Sequence, residues 1–115
     1  KIAKIKDLEP EIEALFNQNK AIDGIVAIDN ISGVIALNIA NKRGVNIPKD
    51  LSIIGFSDDN VLSFTNTKLS TVTQHSDAIG EASVQLLVKR LESKEPIQTV
   101  TKTIDFSLNL RETTL

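Results

Sequence analysis

Two short apolar runs constrain the fold of this chain more than any other feature. Ile25-Val26-Ala27-Ile28 follows the turn residues Asp23-Gly24, and Leu51 to Gly55 follows a loop that contains Pro48. Runs this short, bounded this way, read as buried strands, and strands buried on both faces belong to parallel sheets. Between them Ile31, Val34, Ile35, Asn38 and Ile39 fall on one helical stripe. Asn30 stands where an N-cap is needed, Lys42 and Arg43 fall in the last turn, and Gly44 follows as the helix stop. A strand–helix–strand unit crosses over right-handedly, which brings the C-terminal ends of both strands to one edge of the sheet. Open α/β sheets bind their ligands at that edge. Asp29-Asn30 and Ser57-Asp58-Asp59, which follow the two runs, are therefore expected to face one crevice.

The flanking segments extend the pattern. Leu8, Ile12, Leu15 and Phe16 keep helical spacing, with Glu9, Glu11 and Glu13 between them. Residues 57–69 show no period, and an aperiodic stretch of that length is often functional. Leu69 to Thr73 is β-prone. Ser76 opens a further helix through Ile79, Ala82, Leu86, Leu87 and Leu91, ended by Lys94 to Pro96. In the tail, Val100, Ile104, Phe106, Leu108 and Leu110 alternate with polar residues, the period of a strand with one wet face. Twelve such residues would span about 40 Å at about 3.3 Å each, too long for one sheet of a small domain, so this strand is expected to bend or to cross between two sheets. The order helix, strand, helix, strand, strand, helix, strand predicts an α/β fold, a parallel sheet flanked by helices.

Composition removes several function classes. With no cysteine and a single histidine, His75, the chain offers neither a disulfide, a thiolate metal site nor a multi-histidine metal site. A net charge of −2 without a dense Lys/Arg cluster leaves no electrostatic footprint for nucleic acid. No apolar run approaches the roughly 20 residues that span a membrane. The chain starts without Met, in what reads as the middle of an element, as a fragment of a longer protein would, and no signal peptide opens it. No nucleophile and ordered acid partner stand at recognisable spacing from His75, which reads as a surface histidine. Asp58 and Asp59 do not make an acid–base pair either, because neighbours on a strand point to opposite faces. A phosphoacceptor role for Asp29 would require an acidic pair after an earlier strand and a lysine after a later one, and neither is visible. The chain is expected not to be an enzyme and to need no cofactor.

Five motifs in order then give a resemblance: "DGIVAIDN", "NKRGVNIPKDLSIIGFSD", "LSTVTQ", "LLVKRLES" and "FSLNLRETT". From Asp23 onward the chain resembles the last third of the effector-binding core of LacI/GalR-type transcriptional regulators. The resemblance implies the periplasmic-binding-protein-like type I fold, in which two α/β lobes joined by crossover strands hold a sugar or another small polar molecule between them. It places residues 1–68 and about 99–115 in the C-terminal lobe and the crossover strand, and residues from about 69 to 98 in the N-terminal lobe. It implies a cytoplasmic repressor that forms a homodimer and binds operator DNA through a separate N-terminal domain. A periplasmic sugar-binding protein of the same fold is the competing expectation.

The resemblance also implies site residues. The family usually has Asn-Asp after the first of these strands, where this chain has Asp29-Asn30, so Asp29 inherits the ligand-facing position. After the second strand the family reads glycine, aromatic, aspartate, and here Gly55, Phe56 and Ser57 stand. A hydroxyl cannot clamp two ligand hydroxyls as a carboxylate does, so Asp58, one residue later, is a candidate for that role. Gln74 matches a position that lines the pocket. Asp29, Phe56, Ser57, Asp58 and Gln74 are thus the expected effector contacts, weighed against an ordinary Ser/Asp turn. The small and apolar face of the middle helix, Gly33, Ala36 and Leu37, together with Leu62 and Phe64, is expected to meet a second chain.

Overall fold

A computed structural model describes residues 5–18, 22–57, 66–93 and 98–115. Seven elements appear in the expected order: α1 (Ile5–Gln18), β1 (Gly24–Val26), α2 (Asn30–Lys42), β2 (Ser52–Phe56), β3 (Ser70–Thr73), α3 (Ser76–Glu92) and β4 (Ser107–Asn109). The strands form one sheet in the order β1-β2-β3-β4. β1 and β2 run parallel with Ile25 opposite Ile53, and β2 and β3 run parallel with Gly55 opposite Thr71. β4 closes the far edge antiparallel to β3, with Leu108 opposite Val72.

The core lies between α2 and the sheet. Leu37, Ala40, Leu51, Ile53 and Leu69 are fully buried there, with Phe16, Ile22 and Val34 packed around them. Each large aliphatic side chain removed from water in this way contributes roughly 1.5–3 kcal/mol. The face of α2 that does this only partly matches the expected stripe: Ile39 is buried and Val34 packs against the core as expected, but Ile31 is turned outward. Gly33, Ala36, Leu37 and Ala40 sit on the sheet, whereas Ile31 is 41% exposed. Gly33, Ala36 and Leu37 therefore do not form a surface for a second chain, because this chain's own sheet covers them. Their small size is explained by close packing. A methyl group added to Gly33 would lie 3.4 Å from the Gly55 Cα and 3.1 Å from the Leu69 Cδ2. Leu62 and Phe64 lie outside the described residues.

Helix α2 ends as its sequence requires. Gly44 takes φ +70°, its N–H donates to the Asn41 carbonyl at 3.1 Å, and the Val45 N–H donates to the Ala40 carbonyl at 3.1 Å. These two bonds make a Schellman motif, and glycine enters the left-handed region without steric cost. Arg43 stacks over the Phe16 ring at 5.3 Å and donates to the Asn17 Oδ1 at 2.9 Å, holding α1 against α2.

Three expectations change. Among the described residues β1 is an edge strand whose Val26 is 67% exposed, so the first apolar run is not buried on both faces there. The tail forms a ladder only over Ser107–Asn109, and residues 98–106 pair with no strand among the described residues. Alternation marks a chain suited to a ladder, but a ladder needs a neighbour. Lastly, the resemblance places Leu69 to Thr73 in the other lobe, yet β3 lies in this sheet between β2 and β4. α3 alone stands apart, with Ala82 its buried residue and Val84, Leu87 and Leu91 exposed.

The C-terminal "RETT" is structural. Thr113 is completely buried. Its hydroxyl donates to the Ile53 carbonyl at 2.6 Å and accepts from the Ser70 N–H at 2.8 Å, while the Ile53 N–H donates to the Thr113 carbonyl at 2.8 Å. Arg111 donates to the Leu69 carbonyl at 2.9 Å and to the Thr71 hydroxyl at 2.8 Å. The tail thus joins β2 to β3 just before their own ladder begins at Ile54 and Ser70.

Candidate functional site

The three parallel strands end on one edge, and each delivers a polar side chain there. After β1 the Ala27 N–H still donates to the Ile54 carbonyl at 2.8 Å, and then the chain leaves the sheet at Ile28, which is 82% exposed. Asp29 turns the backbone into α2 from an extended conformation. Its Oδ1 accepts from the Ile31 N–H at 2.8 Å and from the Ser32 N–H at 2.7 Å. Asp29 is therefore the N-cap of α2, and Asn30, expected to cap, is the first helical residue. The Ser32 N–H above all, helped by the Ser32 hydroxyl and the Ile31 N–H, holds the Asp29 carboxyl below its ordinary pKa of 3.8 against the opposing effect of burial.

β2 delivers Phe56 and Ser57. Ser57 is 4% exposed. Its N–H donates to the Val72 carbonyl at 3.1 Å, and its carbonyl accepts from the Thr73 hydroxyl at 3.1 Å. The Thr73 hydroxyl in turn accepts from the Asn109 amide at 2.9 Å, so the end of β2 is fixed through two further strands. After β3 come Gln74 and then His75, whose φ of 55° is left-handed and turns the chain into α3. The His75 Nε2 lies 2.7 Å from the Ser107 Oγ, and the His75 carbonyl accepts from the Ile79 N–H at 3.0 Å. His75 is a surface residue, as expected, and it ties the start of α3 to β4.

Asp29, Phe56, Ser57 and Gln74 line one open cleft of about 550 Å³. Four of the five expected contacts thus converge, and Asp58 lies outside the described residues. The sequence missed the apolar part of the wall, supplied by Leu8 from α1, Ile28 and Ile31. Periodicity alone puts Ile28 inside a buried strand and Ile31 in the core stripe of α2. An isoleucine just past each end of a short strand–helix junction was the available signal. A second hollow of about 550 Å³ shares Phe56 and Gln74 and is walled by Val72, Ile79, Ile104 and Phe106. The apolar tail residues thus lie on the sheet face away from α2. Among the described residues no group of acidic or histidine side chains is placed to hold a metal ion. No helix among them is long and apolar enough to cross a membrane.

A carboxylate, a hydroxyl and a carboxamide set among isoleucine, leucine and phenylalanine can hydrogen-bond a small polar molecule while covering its C–H faces. The C-terminal edge of a parallel sheet is where open α/β domains bind their ligands. The chain belongs to the periplasmic binding protein-like domain family, whose pattern matches residues 2–114. This bears out the resemblance carried by the five motifs. The ribose operon repressor of Halalkalibacterium halodurans is 34% identical over 110 residues, covering 96% of this chain and 33% of the repressor. That of Bacillus subtilis is 32% identical over 93 residues, covering 81% and 28%. A LacI family transcriptional regulator from Arthrobacter sp. FB24, solved in complex with lactose, superimposes with a TM-score of 0.83 at 24% identity, covering 97% of this chain and 42% of that one. The chain spans about a third of the length of the curated relatives.

Proposed function

We propose that this chain is the effector-sensing part of a LacI-type transcriptional regulator and that the cleft holds a small polar ligand such as a sugar. The observation that carries this reading is the convergence of Asp29, Phe56, Ser57 and Gln74 on one edge of the sheet. Similarity to repressors of sugar operons, and to a regulator solved with lactose, supports it. Those likenesses favour a cytoplasmic regulator over a periplasmic sugar-binding protein of the same fold. The division between lobes falls at Gln74-His75, after β3 rather than before it, since α3 leaves the sheet there. Ligand held between lobes would bias their relative angle, and so the spacing of DNA-binding domains outside this chain. No residue of this chain acts catalytically, and the ligand is an effector, not a substrate. The regulator is a homodimer in this reading, and Leu62 and Phe64, expected at that interface, lie outside the described residues.

The test is a thermal-shift screen of sugars against the intact protein that contains this chain. A ligand at about 100 times its Kd adds about 2.7 kcal/mol to the folded state. The expected result is a raised Tm with at least one sugar, and altered operator binding with that same sugar. A flat screen contradicts the reading.

A further inference from the structure

The cleft carries information about the charge of its ligand. The N-terminus of a helix attracts anions because its first N–H groups are unpaired and its dipole is positive there. The N-terminus of α2 opens at this cleft, since both Asp29 and Ile31 line it. Yet its donors are already engaged: Asp29 Oδ1 takes the N–H groups of Ile31 and Ser32 at 2.8 and 2.7 Å. A phosphate or carboxylate on a ligand would have to displace the capping carboxylate to reach them. What the cleft presents instead is the negative charge of Asp29, only partly offset by the helix dipole. Among the described residues no lysine, arginine or histidine lines the cleft, and those that do besides Asp29 are Ser57, Gln74, Phe56 and aliphatic side chains.

Resting on the proposed effector site, we infer that this cleft selects an uncharged polyhydroxylated ligand and rejects its phosphorylated or acidic counterpart, with Asp29 as the residue that sets this preference. Asp29 does so in two ways: it occupies the helix donors an anion would need, and it repels a second negative charge nearby. Phe56, Ile28 and Ile31 complete the selection, since they can cover the C–H face of a sugar but cannot solvate an ion.

The experiment titrates the intact protein by calorimetry with matched pairs: ribose and ribose 5-phosphate, glucose and glucose 6-phosphate, lactose and lactose 6-phosphate. The expected result is that at least one neutral member binds and its anionic partner binds at least about tenfold more weakly, which is about 1.4 kcal/mol. Asp29→Asn keeps a capping side chain while removing the charge, and the gap between the two members of that pair should narrow in it. Equal or tighter binding of the anionic member overturns the inference and leaves the ligand-binding reading standing. So does a gap that Asp29→Asn leaves unchanged. Failure of every neutral and anionic member to bind contradicts the ligand-binding reading itself, and the inference with it.

Discussion

Thr113 reaches back 60 residues to donate its hydroxyl to the Ile53 carbonyl at 2.6 Å, inside the core. The same oxygen accepts from the Ser70 N–H at 2.8 Å. One buried hydroxyl therefore satisfies a carbonyl of β2 and the first N–H of β3. Thr113→Val keeps the volume and removes both bonds, leaving a buried donor and a buried acceptor unpaired. Each such orphan costs about 1–3 kcal/mol, so the variant should lose about 2–6 kcal/mol by urea denaturation. Thr113→Ser should retain most of the stability.

The glycines on β2 and α3 should respond oppositely to the same change. A methyl on Gly55 would stand 2.9 Å from the Leu69 Cδ2, in the space where α2 approaches the sheet. Overpacking of this kind costs about 1–3 kcal/mol. Gly80 sits inside α3 with nothing within 4 Å of its added Cβ. Alanine there should stabilise the helix by up to about 1 kcal/mol. Thermal melts of Gly55→Ala and Gly80→Ala should move in opposite directions.

Asp29 links the cap of α2 to pH. Its folded pKa lies below its unfolded value, so the ionised form favours the folded state. That contribution is fully present above the ordinary pKa of 3.8 and is lost as pH falls through the lower folded value. Asp29→Ala should cost about 1 kcal/mol at pH 7 by loss of the cap. The difference from wild type should shrink below about pH 4, where the carboxylate takes up its proton in the unfolded chain. A difference that grows on acidification would contradict the capping role.

Leu37 separates a core helix face from an interface. With 1% exposure it belongs to the cluster with Ile53 and Leu69. Leu37→Ala should cost about 2–5 kcal/mol. Leu37→Asp should prevent folding, because an unpaired carboxylate would be buried. A folded monomer of Leu37→Asp by sedimentation would restore the interface role that the structure removes.

Much of this was legible in the residues. Seven elements in order follow from periodicity and turn chemistry, and Gly44 marks the α2 stop where the Schellman bonds form. Crossover handedness places Asp29 and Ser57 on one edge, and the cleft confirms that placement. The face of α2 was only half legible, because that helix is apolar almost all round: Val34 and Ile39 of the expected stripe meet the core, and Ile31 does not. Its true sheet face is marked by small size, at Gly33, Ala36 and Ala40, rather than by hydrophobicity. The cap was not legible: Asp29 and Asn30 both suit an N-cap, and only the backbone geometry decides between them. The role of "RETT" depends on contacts more than 40 residues away, which no local pattern announces.

The most direct test of the central claim is a crystal structure of the intact protein with the sugar that stabilises it most. The account predicts that sugar bound among Asp29, Phe56, Ser57 and Gln74, with a face against Phe56 or Ile28 and a hydroxyl within hydrogen-bond distance of Asp29 or Gln74. A sugar bound elsewhere, with this cleft occupied only by water, would contradict it.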